Sequence, residues 1–238
     1  MKFRALIFDF DGLILNTEVP EYKAWTEVYR RYNATLLLED WVKVIGTTPD
    51  AFNVFDHLQA QVSQPLDMTA IRREQQSTFW SLMDQETVMP GIEKIISQAR
   101  SAGISMAIAS SSPYDWVNGH ISKLGIKDQF DFICTSEDVA KVKPEPDLFL
   151  CAAKRLRVDP QDAVVFEDSL NGVIAAKKAN MSCVAVPHIL TRGLDLSKAD
   201  LIINNHGFLL YDKKTLEIKT SQDIFNEGKQ EYAGPLWL

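Results

Sequence analysis

The sequence predicts an α/β protein, a doubly wound parallel sheet with an α-helical cap domain inserted after its first strand. Two observations carry this prediction. Short apolar runs at Ala5–Phe10, Ile104–Ala109, Ala163–Phe166 and Ser182–Val186 alternate with stretches of helical periodicity, as expected of strands buried on both faces and joined by helices. Polar residues recur where these runs end, at Asp9 and Asp11, at Ser110, and at Glu167 and Asp168. Ligands bind outside the carboxyl ends of the strands in such sheets, so these side chains converge on a functional rim.

Each element follows in order. Ala5–Phe10 is apolar until it meets acids, which makes it too short for a signal peptide and suitable for a central strand. The texture then changes. Trp25, Val28 and Tyr29 recur at helical spacing, and Thr69 is placed to cap a helix carrying Ile71, Phe79 and Leu82. Residues 17–88 therefore read as a helical cap over the rim, with 1–16 and 89–210 forming the core. Hinges are expected near Asn16-Thr17 and Val88-Met89. After the Pro90-Gly91 turn, Ile92, Ile95, Ile96 and Ala99 share a helix face that ends near Gly103. The strand Ile104–Ala109 runs into Ser110-Ser111-Ser112-Pro113, the composition of a helix start. Further strands are expected at Phe132–Cys134 and Leu201–Ile203, and further helices at Leu148–Leu156 and Gly172–Ala179. Residues 211–238 are polar and weakly periodic, a tail without an assigned role.

Bulk properties exclude several classes. The 238 residues include 25 basic and 32 acidic side chains, a formal charge of −7. That field repels polyanions, so no nucleic-acid partner is expected. No apolar run reaches the roughly 18 residues of a membrane span. Cys134, Cys151 and Cys183 are odd in number and lack metal-type spacing, and read as apolar filler in a cytoplasmic protein. His57, His120, His188 and His206 are dispersed and read as structural. Nothing assigns an oligomeric state.

The rim residues have a chemical logic. Asp9 and Asp11 lie two residues apart after a strand, and burying both is costly without a cation. Mg²⁺ favours a few carboxylates together with waters and phosphate oxygens. Glu167-Asp168 is a second acidic pair, Lys143 supplies a positive charge beside Pro144, and Ser110 supplies a hydroxyl. These are the parts a phosphoryl-transfer site needs. Each has a bland reading alone: a turn for Asp9-Phe10-Asp11, a helix cap for Glu167-Asp168 or Ser110–Ser112, a surface lysine for Lys143. Together the bland readings require four coincidences at one rim.

The segment Asp9-Phe10-Asp11-Gly12-Leu13-Ile14-Leu15-Asn16-Thr17-Glu18 resembles the first motif of the haloacid dehalogenase-like hydrolase superfamily. Ser110 resembles the second motif, Lys143-Pro144 the third and Glu167-Asp168 the fourth, in family order. The insert resembles the helical cap of the branch containing β-phosphoglucomutase and many sugar-phosphate phosphatases. The resemblance implies a Rossmann-like core and Mg²⁺. It implies Asp9 as nucleophile and Asp11 as general acid and base with its carbonyl toward the metal. Asp168 and Glu167 join Asp9 around the metal, Lys143 neutralises phosphoryl oxygens, and Ser110 and Ser111 hold the transferring group. The expected partner is a small phosphorylated metabolite.

Three rivals are weighed on residues. Dehalogenases lack an aspartate at the position of Asp11. Phosphonate-cleaving relatives use a cap lysine with no clear counterpart here. β-Phosphoglucomutase carries a cap histidine where this chain has Glu21 and a cap arginine near Pro49. Proline cannot clamp a second phosphate, so hydrolysis is favoured over the mutase. A non-catalytic phosphate sensor would tolerate loss of Asp9, Asp11 or Lys143, yet all three are present.

Overall fold

The computed structural model describes residues 3–43, 45, 52–203, 209–212 and 217–220. Six strands, β1 (Ala5–Phe8), β2 (Ser105–Ala109), β3 (Phe132–Cys134), β4 (Ala163–Glu167), β5 (Ser182–Ala185) and β6 (Leu201–Ile202), form one parallel sheet in the order β3-β2-β1-β4-β5-β6. The direction of winding reverses between β1 and β4, which makes their carboxyl ends the switch point where ligands bind in open sheets.

The period-2 alternation of the strands builds a core on each face. Leu6 and Phe8 join Met106, Ile108, Val164 and Phe166 under α5 (Ile92–Ser101) and α6 (Tyr114–Lys123). Ala5 and Ile7 join Ala107, Ala109, Val165 and Cys183 under α7 (Asp147–Leu156) and α8 (Leu170–Lys178). Small residues on the second face let α7 and α8 approach closely, while Phe8 stacks on Phe166 at 4.9 Å on the first. The three cysteines are free; Cys134 and Cys183 are buried among apolar neighbours, as filler should be.

β1 ends at Phe8, two residues earlier than its apolar pattern suggests. The Phe10 carbonyl accepts from the amides of Leu13, Ile14 and Leu15 in a tight turn, so the chain has left the ladder. Gly12 sits in this turn at φ +80°, a conformation that favours glycine.

The insert contains α1 (Glu18–Arg31), α2 (Leu38–Trp41), α3 (Val54–Gln59) and α4 (Met68–Met83). Trp25, Val28, Tyr29, Trp41, Leu58 and Ile71 form its own apolar cluster, so Trp25 and Tyr29 are core residues. The Tyr29 hydroxyl donates to the Val54 carbonyl at 2.6 Å. One expectation for α4 needs correction. Asp67, not Thr69, caps it, with Oδ1 accepting from the Thr69 and Ala70 amides; an aspartate one residue ahead of the helix reaches donors that a threonine already inside cannot. The helix carries Ile71, Phe79 and Leu82 as expected, and its buried face is Ile71, Gln75, Phe79 and Met83, a strict four-residue stagger. Phe79 and Met83 enter the cluster on the sheet, so α4 bridges insert and core.

The two connections to the insert run side by side. Leu15 pairs with Val88, the Met89 amide donates to the Ile14 carbonyl at 2.9 Å, and Asn16 Nδ2 donates to Glu86 at 3.1 Å. Across the boundary drawn at 210, β7 (Leu209–Asp212) pairs antiparallel with β8 (Glu217–Thr220). Pro49 and His206 lie outside the described residues.

Candidate active site

The rim assembles as its spacing suggests. Asp9 follows β1 directly, with its amide on the Phe166 carbonyl at 3.0 Å. Parallel pairing of β1 with β4 sets Phe8 opposite Phe166, and this register brings Asp9 beside Glu167 and Asp168. One oxygen from each of these three buried acids lies within 4.8 Å of the others. Lys143 is 2% exposed, which removes the surface-lysine reading. Its Nζ donates to Asp9 Oδ1 at 2.5 Å and to Glu167 Oε1 at 2.6 Å. Burial works against its charge, but Asp9 and Glu167 outweigh this and hold the ammonium above the ordinary lysine range.

The acids divide by what satisfies them. Glu167 Oε2 accepts from the amides of Asp168 and Ser169 and from the Ser169 hydroxyl. Ser169 in turn caps α8 through the Gly172 amide. The capping role considered for Glu167-Asp168 thus belongs to Ser169. Asp168 is the opposite case: it is 1% exposed and neither carboxylate oxygen has a hydrogen-bond partner. An unsatisfied buried carboxylate is costly. Burial, followed by Glu167, pushes the Asp9 carboxyl well above the usual carboxylate range despite Lys143. Three acids facing one ammonium leave a formal deficit of two positive charges. A hard divalent cation fits this all-oxygen set and would relieve both the orphaned oxygens and the deficit.

Asp11 stands apart in a cradle of donors. Thr17 and Trp116 donate to Oδ1, each at 2.9 Å, and Ser110 and Ser112 donate to Oδ2 at 3.3 and 2.6 Å. The serines expected to start α6 are therefore used differently. Ser110 and Ser112 serve Asp11, and the helix begins after Pro113 without a side-chain cap. Ser111 Oγ is buried without a partner. Ser112 and Trp116 are not among the residues expected at the site. Their four-residue spacing puts them on one side of the α6 start, but only the fold shows what they face. Glu18 and Glu21, in the first turn of α1, carry carboxyls raised first by burial and then by neighbouring acids, including Asp11.

Gly172 is required by this packing. A Cβ there would overlap the Glu167 carboxyl group. Gly172→Ala is expected to cost about 3 kcal/mol by overpacking, read as a lower urea midpoint, and to disturb Lys143 through Glu167. An unchanged midpoint would show that Glu167 moves freely.

Comparison with known proteins identifies the family. Residues 6–186 match the haloacid dehalogenase-like hydrolase family. The chain is 45% identical to YhcW of Bacillus subtilis over 79% of its own length and 85% of that protein. It is 31% identical to the fructose-1-phosphate phosphatase YqaB of Escherichia coli over 78% of its own length and 97% of that protein. The crystal structure of β-phosphoglucomutase from Clostridium difficile superposes with a TM-score of 0.67 at 27% identity, covering 95% of this chain and 98% of that one. The chain belongs to the haloacid dehalogenase-like hydrolases.

Proposed function

We propose that this hydrolase is a magnesium-dependent phosphatase that acts on a small phosphorylated metabolite, most naturally a sugar phosphate, through an aspartyl-phosphate on Asp9. The observation that carries the reading is Asp9, bound to Lys143 and set beside the partnerless oxygens of Asp168 at the switch point of the sheet. The sugar-phosphate preference draws on the likeness to the fructose-1-phosphate phosphatase.

Asp9, Asp168 and the main-chain carbonyl of Asp11 would hold the ion, with Glu167 supporting it directly or through water. Mg²⁺ bound there supplies charge neutralisation for the carboxylates and the phosphoryl oxygens. An Asp9 oxygen attacks phosphorus in line, an Asp9–phosphorus bond forms, and the bond to the substrate oxygen breaks. Asp11, protonated, gives its proton to that leaving oxygen. As a carboxylate it then takes a proton from water, whose oxygen attacks phosphorus and frees phosphate and Asp9. Lys143 keeps the nucleophile oriented and offsets charge on the transferring group, and Ser110 and Ser111 border it. Thr17 donates to Asp11 from the start of residues 17–88, so the seating of that segment over the rim places the acid.

Phosphate release from a panel of phosphorylated metabolites, with Mg²⁺ and with EDTA, tests the reading. Metal-dependent release is expected. Isomerisation of a sugar phosphate without release would instead make the chain a mutase. No turnover of any kind would favour a phosphate-sensing module.

A second expectation concerns the cap. Burial and Asp11 push the Glu21 carboxyl up to about 7 from 4.5. A carboxyl raised in the fold favours folding below its unfolded value and loses that benefit as pH rises through its folded value. Glu21→Gln should therefore melt higher than the parent protein near pH 8, on the order of 5 °C, with the difference closing toward pH 5. Melts showing the same offset at both pH values would contradict this environment for Glu21.

A further inference from the structure

We infer that His188 is a positioning residue that fixes the Asp168 carboxylate for metal binding, and that Leu190 ties its ring to the helical insert. The inference rests on the reading of Asp168 as a metal ligand. His188 follows β5 and is 3% exposed, with Nε2 3.0 Å from Asp168 Oδ2. Nε2 and both Asp168 oxygens are nonetheless buried atoms without a hydrogen-bond partner.

The other ring nitrogen settles what Nε2 can do. Nδ1 accepts the Leu190 amide at 3.3 Å, so the neutral ring carries its proton on Nε2, the nitrogen nearest the carboxylate. A small turn of the ring then makes His188 a donor to Asp168 and not itself a ligand. It faces one oxygen and leaves the other for the cation. Outer partners of this kind orient metal-binding groups and set their affinity.

The surroundings hold the ring in place. The His188 amide donates to Thr191 Oγ1 at 3.0 Å, and the His188 carbonyl accepts from Thr191 and Arg192. Gly12 closes the opposite side: a Cβ there would lie 2.5 Å from Asp168 Oδ2 and 3.0 Å from His188 Nε2. Leu190 is buried in the apolar cluster of Trp25, Val28 and Tyr29. One short turn therefore joins the insert's core to the orphaned carboxylate.

Binding of Mn²⁺, followed by electron paramagnetic resonance as a stand-in for Mg²⁺, tests this without recourse to turnover. The wild type should bind one ion, and Asp168→Ala should not. His188→Ala should raise the Kd about tenfold or more, whereas His188→Gln, whose amide can donate in place of Nε2, should stay within about threefold. If the alanine variant does not fold, His188→Leu, closer in volume, takes its place under the same comparison. Leu190→Ala should weaken binding in the same direction. A non-donating variant that binds Mn²⁺ as tightly as the wild type, or more tightly, overturns the inference and leaves the metal reading intact. A wild type that binds no ion sinks both.

Discussion

Asp9→Asn should abolish phosphate release, by about 10⁴-fold or more on the scale of losing a covalent nucleophile, while the protein stays folded. The substitution is nearly isosteric and keeps a carbonyl oxygen for Lys143, which bonds Asp9 at 2.5 Å. It removes one negative charge from a buried cluster of three acids, so the melting temperature in EDTA should hold or rise. An amide oxygen is a poor nucleophile, and a phosphorylated amide has no route to hydrolysis comparable to that of an acyl phosphate. The two readouts move in opposite directions, which separates lost chemistry from lost structure. Retained turnover would remove Asp9 from the reaction and end the aspartyl-phosphate mechanism. Retained turnover with Asp11→Asn would similarly deny Asp11 its proton-transfer role.

Much of this site is legible in the chain because its logic is local. Strands β1, β2 and β4 are apolar on both faces, so they stand out as unbroken apolar runs, and the acids that end β1 and β4 stand out against them. The order of motifs then identifies the rim. What is not legible depends on partners distant in sequence. Trp116 donates to Asp11 across 105 positions, and nothing in its own neighbourhood announces this. His188 meets Asp168 because β5 pairs with β4, although its isolated position in the sequence suggests only a structural histidine. The error at Thr69 is local: two capping residues stand two apart, and the geometry of the first turn chooses Asp67. Ser110 and Ser112 mislead for a different reason. A hydroxyl before a helix commonly caps it, but here both hydroxyls turn to Asp11, a partner about a hundred positions away, and α6 starts without a side-chain cap.

Lys143→Ala should damage stability as well as activity. Lys143 is the cation that answers Asp9 and Glu167, and all three side chains are buried. Removing one partner from a buried ion pair leaves an uncompensated charge and costs about 3–5 kcal/mol, or on the order of 10 °C in melting temperature for a chain of this size. The cost should depend on Mg²⁺. A divalent cation held by Asp9 and Asp168 would offset part of the charge that Lys143 no longer balances, so Mg²⁺ should raise the melting temperature of the variant more than that of the wild type. Turnover should stay low even at saturating Mg²⁺, because the ion cannot reproduce the hydrogen bond that orients Asp9. Lys143→Met keeps the length of the side chain without its charge and should behave like the alanine variant. Equal stabilisation of wild type and variants by Mg²⁺ would mean that lysine and metal do not share the same carboxylates. In that case the orphaned oxygens of Asp168 would need another partner.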